Sequence, residues 1–298
     1  MIGELPQRTV TVDGYTGMTG CSSTGGKQAT ALAVFPGDAA ANRTYPLVAF
    51  AHGMNCDPAE VYTAMLEAVA AQGYIVVAPN GDNDGWCVQQ YKDQLRGIDV
   101  AYARRGGFPF SAIDWAKGVA LLGHSMGAHA TVQSAGLKPT TAPVAIKAAV
   151  AFAPQFFPPG EPSFADRVRV PVLYVTATGD KVVPPAKVLQ QYNDTSAALG
   201  HGVAELQGFN HMSVSTSAPF AYFTASFFNC HLLGRQQGSY SCDSIYNHTG
   251  AAWCPLCGRL EGCPHTWPMH TCKTVYIKPP KTAGAAPATR IARGGPSD

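Results

Sequence analysis

A serine lies between two glycines where the chain changes from apolar to helix-forming residues. The stretch is Gly123-His124-Ser125-Met126-Gly127, and it follows the apolar run 119–122. A nucleophile on a sharp strand-to-helix turn has strained dihedrals, and glycines two positions away leave room for the neighbouring backbone. The turn exposes the hydroxyl and directs free helix N–H groups at developing negative charge. The pattern predicts that Ser125 is a nucleophile, and a serine that only caps a helix is the alternative.

A serine hydroxyl needs a base, and the base needs a carboxylate that holds its tautomer. Asp180 closes the stretch VPVLYVTATGD, directly after an apolar run. His211 follows the last such run, residues 203–206. Because the carboxyl ends of parallel strands meet at one edge of a sheet, Ser125, Asp180 and His211 are predicted to form a catalytic group there.

Other acidic residues and histidines fit these roles less well. Asp180 itself could be only the cap of a helix that begins near Pro184. Asp166 and Asp194 lack a preceding strand end, and His201 lies before a predicted strand and not after it. His124 and His129 flank the serine itself. The three histidines among them are expected to be core or surface residues.

A tetrahedral intermediate also needs two hydrogen-bond donors for its oxyanion. The backbone N–H of Met126, next to the serine, is one predicted donor, and the N–H of Met54, in the loop AHGMNCD, is the other. Gly53 would let the backbone approach the substrate, and Asn55 and Trp86 are further predicted substrate contacts. The alternative for Trp86 is a structural role in which the side chain only fixes its own loop. The alternative for residues 52–54 is an ordinary strand-to-helix turn that contributes no oxyanion donor.

The elements that position these residues follow from hydrophobic patterning. Short apolar runs bounded by turn signals predict buried parallel strands, and segments with apolar residues three and four apart predict helices between them. The predicted strands are residues 45–51, 74–78, 119–122, 146–152, 170–176 and 203–206, and the predicted helices are 59–72, one within 91–105, 128–136 and 186–199. The predicted fold class is α/β, with a mostly parallel sheet, helices on both faces and no large lid.

The composition changes after residue 234. We predict a catalytic domain at 1–234, a cysteine-rich, loop-rich extension packed on it at 235–277 and a disordered tail at 278–298. The extension carries a group of potential ligands, Cys254, Cys257, Cys263, His265, His270 and Cys272. A matching second C-x-x-C pair is missing, so disulfides are favoured over a structural zinc site and no metal is predicted.

Composition and charge exclude several classes of protein. The chain has 46% apolar and 13% charged residues and a formal net charge of +2, which predicts a compact globule without affinity for nucleic acid. No apolar run is long enough to span a membrane. Nine cysteines and the three sequons at Asn42, Asn193 and Asn247 favour a secreted or lumenal protein, with a plastid as the alternative. Nine is an odd number, so at least one thiol is predicted to lie outside intramolecular disulfides.

Residues 44–230 resemble the α/β-hydrolase superfamily. The motifs PLVAFAHGMNCDP, GHSMG, TATGDKVVPP and GFNHMS are similar to the lidless dienelactone-hydrolase-like branch, which includes cutinase-type polyester hydrolases and chlorophyllases. The resemblance implies the α/β-hydrolase fold and carboxylic-ester hydrolysis without a cofactor. It also implies an acyl-enzyme on Ser125 within the triad described above, and oxyanion donors at Met54 and Met126.

Three functions follow as alternatives. The first is hydrolysis of hydrophobic or bulky small-molecule or polymeric esters by a monomeric enzyme. The second is a chlorophyllase-like hydrolysis of a long isoprenoid ester, although Met126 stands where chlorophyllases usually have arginine. The third is a hydrolase fold that only binds, which the presence of all three triad residues argues against.

Overall fold

A computed structural model gives the fold of the protein. It describes residues 7–16, 28–39, 43–80, 87, 89–137, 142–155, 163–196, 199–206, 209–215, 218–235, 242 and 272–278. Trp86, the sequons at Asn42 and Asn247, and most of the predicted cysteine and histidine group lie outside these residues, as does the predicted tail beyond 278.

One nine-stranded sheet forms the centre of the described chain. Its strands run in the order β1-β2-β4-β3-β5-β6-β7-β8-β9. The six strands from β4 to β8 in this order are parallel, and β1, β2 and β9 are antiparallel to their neighbours. The bounds are β1 Gln7–Thr16, β2 Gln28–Pro36, β3 Leu47–Ala51, β4 Ile75–Asn80, β5 Val119–His124, β6 Ile146–Phe152, β7 Val172–Ala177, β8 His201–Leu206 and β9 Cys272–Lys278.

Six helices of the described chain cover the two faces of the sheet. They are α1 Pro58–Val61, α2 Thr63–Ala70, α3 Gln90–Ala103, α4 Met126–Gly136, α5 Pro185–Asp194 and α6 Ala218–His231. Successive strand side chains point to opposite faces, so Leu47 and Ala49 pack with α3, α4 and α5, while Val48 and Phe50 pack with α2 and α6. The α/β fold class, the parallel core and the helices on both faces are confirmed.

Two details differ from the sequence prediction. The helix expected at 59–72 is two helices that meet at Tyr62, whose φ of −114° departs from helical geometry. The side chain of Asp57 caps the first of them by accepting a hydrogen bond from Ala59 N at 2.7 Å. Helix α6 was not predicted, because its buried phenylalanines lie on a segment that is apolar on nearly all sides.

The edges of the sheet also extend further than the predicted strands. Neither β1 nor β2 was predicted, and β9 lies in the segment that the sequence assigned to a loop-rich extension, where it pairs antiparallel with β8. A disulfide between Cys230 and Cys242 joins the end of α6 to that segment, so the prediction of disulfides is confirmed at this pair. The division of the chain into domains stays a prediction.

In the described part of the β6–β7 connection, the regular structure is a single 3-10 turn, Ala165–Arg167. No helix among the described residues is long and apolar enough to cross a membrane.

Candidate active site

Ser125, Asp180 and His211 come together at the carboxyl edge of the sheet. Ser125 follows β5, Asp180 follows β7, and His211 follows β8. The hydroxyl Oγ of Ser125 lies 2.9 Å from His211 Nε2, and His211 Nδ1 lies 2.8 Å from Asp180 Oδ2. With the imidazole hydrogen on Nδ1, the histidine donates to the carboxylate and accepts from the serine. The three side chains therefore form a continuous series of hydrogen bonds.

The backbone at Ser125 is strained. Its φ of 57° and ψ of −121° lie outside the regions that residues other than glycine normally adopt. The two flanking glycines allow this turn, because a Cβ on Gly123 would lie 2.3 Å from Gly127 O, and a Cβ on Gly127 would lie 2.1 Å from Ala51 O. Helix α4 begins directly after the serine. The steric argument for the two glycines is therefore confirmed.

Asp180 is held by the backbone that follows it. Its Oδ1 accepts hydrogen bonds from Val182 N at 2.9 Å and Val183 N at 2.8 Å, and its Oδ2 faces His211. The carboxylate is buried, with 1% of its side chain exposed. It does not cap α5, whose N-terminal flanking residue is Pro184, so the capping alternative is wrong. One carboxylate oxygen therefore accepts hydrogen bonds from the loop that follows Asp180, and the other accepts from the imidazole of His211.

Two residues that the sequence analysis did not assign to the site touch it. His124 was expected to be a core or surface residue, and it is buried, but its Nε2 lies 2.8 Å from the carbonyl oxygen of His211. Its Nδ1 lies 2.7 Å from the hydroxyl of Tyr62, which also accepts a hydrogen bond from Gly53 N at 3.0 Å. Burial, and secondarily the proximity of His211, lowers the pKa of His124 to about 3, so its ring is neutral.

The predicted oxyanion donors lie on the two turns beside Ser125. Met126 N is the first N–H of α4, a position without an intrahelical acceptor. Met54 follows Gly53 in the turn after β3 and is 46% exposed. Within the described residues, neither N–H donates to a protein acceptor. The Met126 side chain is buried and its sulfur accepts a hydrogen bond from Cys87 N at 3.1 Å, so it does not line an open cleft.

The predicted substrate contacts lie in different surroundings. Gly53 is buried beside the serine, since a Cβ on it would lie 3.4 Å from Ser125 Cβ. Asn55 is exposed and adopts a φ of 56°, which asparagine tolerates better than most residues. Trp86 is not among the described residues. Two exposed apolar side chains that were not predicted, Val182 and Met212, follow Asp180 and His211 within two positions.

The residues considered as alternatives lie elsewhere. Asp166 is in the 3-10 turn after β6, and Asp194 ends α5. His201 begins β8 and is therefore at the opposite edge of the sheet. His129 is buried in α4 with its ring against Phe164. None of these four side chains joins the series that contains Ser125.

The site contains a serine hydroxyl, an imidazole and a carboxylate, which are the groups that a nucleophile with a general base requires. Among the described residues, no group of three or more histidine, cysteine or acidic side chains is arranged to hold a metal ion. The histidine and cysteine residues proposed as alternative zinc ligands lie largely outside these residues, so that alternative is untested.

The sequence was also compared with known proteins. Residues 2–95 match the family model described as Chlorophyllase, a family of the α/β-hydrolase superfamily. No curated protein matches the chain. The match covers less than half of the chain and ends before Ser125, and it supports a hydrolase of the α/β-hydrolase type. The chain therefore has an α/β fold with a mostly parallel sheet, and its residues 2–95 are similar to the chlorophyllase family, which belongs to the α/β-hydrolase superfamily.

Proposed function

We propose that the protein is a serine hydrolase of carboxylic esters. The observation that carries the proposal is the series of hydrogen bonds from Ser125 Oγ through His211 to Asp180, with distances of 2.9 Å and 2.8 Å. The strained turn at Ser125 supports it, because strain of this kind is retained where function needs it. The similarity to chlorophyllases gives independent support for a hydrolase.

The reaction has two steps. His211 Nε2 takes the proton of Ser125 as Oγ attacks the ester carbonyl, and the imidazolium then gives that proton to the departing alcohol. This leaves an acyl group on Ser125. A water molecule, deprotonated by the same histidine, then attacks the acyl carbon. The imidazolium returns this proton to Ser125 Oγ as the bond between Oγ and the acyl carbon breaks, and the acid is released. Asp180 holds the hydrogen on Nδ1 and stabilises the imidazolium through its second oxygen.

The oxyanion of each tetrahedral intermediate is proposed to receive the N–H groups of Met54 and Met126. Donors of this kind must be free before substrate binds, and no protein acceptor competes for either N–H in the described chain. Met126 N is also at the positive end of α4, which favours negative charge.

We propose that the substrates are hydrophobic or bulky esters. Three of the loops that carry site residues, those after β3, β7 and β8, each have one exposed apolar side chain: Met54, Val182 and Met212, which are 46%, 57% and 42% exposed. Exposed apolar side chains on the loops of a site favour binding of apolar ligands. No charged side chain of the described chain takes part in the series at Ser125 other than Asp180.

A chlorophyllase-like activity on a long isoprenoid ester is the second candidate. The specific observation in its favour is the Chlorophyllase match over residues 2–95, which includes the turn with Gly53 and Met54. A long isoprenoid alcohol would be compatible with the same exposed apolar side chains.

A panel of substrates tests these proposals. Nitrophenyl esters of acetate, butyrate and octanoate, with chlorophyll as a further substrate, are assayed with the wild type and with Ser125→Ala. Hydrolysis of the longer esters that disappears in Ser125→Ala supports a serine esterase, and efficient turnover of chlorophyll selects the second candidate. Turnover of acetate esters alone would contradict the proposed substrate class. Equal rates for wild type and Ser125→Ala would contradict the mechanism and leave a binding protein as the better explanation.

A further inference from the structure

A second series of hydrogen bonds passes behind Ser125 and ends on the backbone of two site loops. It begins at Gly53 N, passes through the Tyr62 hydroxyl at 3.0 Å and reaches His124 Nδ1 at 2.7 Å. It continues from His124 Nε2 to the carbonyl oxygen of His211 at 2.8 Å. The mechanism described above uses neither Tyr62 nor the side chain of His124.

Only one assignment of hydrogens satisfies all of these groups. A carbonyl oxygen can only accept, so His124 must carry its hydrogen on Nε2 and donate to His211. The Nδ1 atom of a neutral imidazole then accepts, and the Tyr62 hydroxyl is its donor. The same hydroxyl oxygen accepts from Gly53 N–H. The series is therefore directional and leaves no unpaired donor or acceptor at these atoms.

The ends of the series are the two places where the proposed chemistry needs precise geometry. Gly53 directly precedes Met54, the proposed oxyanion donor, and His211 is the proposed base. Gly53 packs closely against the side chains of Tyr62 and His124, because a Cβ on Gly53 would lie 2.8 Å from the Tyr62 hydroxyl and 3.2 Å from His124 Nδ1. The rings of His124 and His211 have centroids 4.6 Å apart.

We propose that Tyr62 and His124 are positioning residues that set the distance between the oxyanion turn and the backbone of His211 across the nucleophile. The inference rests on the proposed function, since it gives these residues a purpose only if Ser125 is the nucleophile. Displacements of about 1 Å in reacting groups can reduce rates about 100-fold, so loss of this link is expected to reduce kcat.

The competing explanation is that Tyr62 only stabilises the core, and the chain offers a matched control. Tyr74 is also fully buried, and its hydroxyl donates to Asn229 Oδ1 at 2.6 Å, a residue of α6 that takes no part in the site. Tyr62→Phe and Tyr74→Phe therefore each delete one buried hydroxyl; the first removes a hydrogen-bond partner from Gly53 N and from His124 Nδ1, and the second removes one from Asn229 Oδ1. Only Tyr62→Phe interrupts the series behind Ser125.

The first experiment measures kcat, KM and Tm of both variants with nitrophenyl butyrate. Tyr62→Phe is expected to lower kcat by about 10-fold with little change in KM, because the deleted hydroxyl acts on the reacting groups and not on substrate binding. Both variants are expected to lower Tm, because each loses buried hydrogen bonds, but Tyr74→Phe is expected to leave kcat unchanged. Wild-type kcat in Tyr62→Phe, or an equal loss of kcat in both variants, would overturn the inference.

A pair of substitutions at His124 tests the other half of the series, and it also serves if Tyr62→Phe does not fold. In His124→Gln the amide nitrogen reaches the place of Nε2 and can still donate to the His211 carbonyl. In His124→Asn the shorter side chain reaches only the place of Nδ1. We expect Gln to retain several times more of the wild-type kcat than Asn at equal Tm. Equal kcat in the two variants would overturn the proposed link to His211.

A serine-directed fluorophosphonate separates failure of this inference from failure of the proposed function. A wild-type protein that is neither labelled at Ser125 nor active on esters would overturn the proposed function, and the inference with it. A wild type that is labelled and active, with Tyr62→Phe labelled at the same rate, would overturn the inference alone.

Discussion

Ser125 occupies backbone dihedrals that cost free energy, on the order of 1–3 kcal/mol for a residue with a side chain. The strain is compensated by close packing around it, where Gly123 and Gly127 let three backbone segments meet. A serine that only began a helix would need no such turn. The Ser125 side chain makes no capping hydrogen bond, so the geometry supports the proposed nucleophile better than a capping serine.

Replacement of Asp180 by asparagine tests the role of the carboxylate. The amide would donate to His211 Nδ1 and force the hydrogen onto Nε2, so the histidine could no longer accept the proton of Ser125. We expect kcat for nitrophenyl butyrate to fall about 10⁴-fold, as loss of the correct tautomer does in triads of this kind. Because the oxygen of the introduced amide can still accept from the backbone, Tm should change little. A loss of kcat below about 10-fold would contradict the role given to Asp180.

Buried neutral histidines should make the protein sensitive to acid. Burial lowers the pKa of His129 and of His231 to about 4, and the pKa of His124 to about 3, from an ordinary value of 6.5. Between the lowered pKa and 6.5 the unfolded chain binds the proton and the folded protein does not. The free energy of unfolding is therefore unaffected by these histidines above about pH 6.5. It falls as the pH is lowered through this window, by about 1.4 kcal/mol per pH unit for each histidine.

His129→Leu checks this linkage without touching Ser125, Asp180 or His211, since His129 lies in α4 with its ring against Phe164. Urea unfolding at pH 7.5, 6 and 5 should give a shallower loss of stability in the variant than in the wild type. Parallel curves for the two proteins would mean that His129 is protonated in the fold or titrates alike in both states.

Single side chains also show where sequence reasoning stops. Ser125, Asp180 and His211 were predictable because each follows a strand end and has a distinctive neighbourhood. His124 and Tyr62 were not, because their contact joins positions 62 residues apart and depends on ring orientation.

The sequon at Asn193 gains a structural explanation, since the Thr195 hydroxyl is buried and bonded to Gln191 O at 2.9 Å and to Tyr174 at 2.8 Å. That threonine therefore gives weaker support for a secretory route than the sequence alone indicated.

At the scale of elements, the turn between β5 and α4 depends on the absence of side chains. Gly127→Ala would place a methyl group 2.1 Å from Ala51 O, where only backbone could move. We expect a loss of at least about 3 kcal/mol in the free energy of unfolding, or failure to fold, from this overpacking. Gly106→Ala is the control, because a Cβ there meets nothing within 4 Å. Chemical denaturation of both variants measures the difference, and equal stabilities would contradict the steric account of the turn.

Elements differed in how well their patterns predicted them. The buried parallel strands were readable as continuous apolar runs, and β3 to β8 lie close to the predicted ranges. Strands β1 and β9 lie at the two edges of the sheet and pair antiparallel, so their sequences need not be continuously apolar. The position of α3 depends on Gln94, whose buried amide nitrogen bonds to Ala49 O and Leu122 O, each at 3.1 Å. A polar residue inside a helix gives no sequence signal of such a contact.

At the scale of the whole molecule, the Cys230–Cys242 disulfide connects the end of α6 to the segment that follows it. It closes a loop with a sequence separation of 12, and such a loop is expected to contribute about 2–3 kcal/mol by restricting the unfolded chain. Cys230→Ala/Cys242→Ala should therefore lower Tm by several degrees while kcat remains unchanged, because the disulfide takes no part in the site. Thermal unfolding with and without reductant measures the effect. A double variant with wild-type Tm, or with kcat reduced as strongly as in Asp180→Asn, would contradict this separation of stability from activity.

The central claim is that Ser125 is the nucleophile and that His211 activates it. The most direct measurement is the intact mass of the protein after exposure to a fluorophosphonate, followed by mapping of the modified peptide. We predict one adduct per chain on Ser125 in the wild type, none in Ser125→Ala, and strongly slowed labelling in His211→Ala. An adduct on another serine, or labelling of Ser125→Ala at the wild-type rate, would contradict the account.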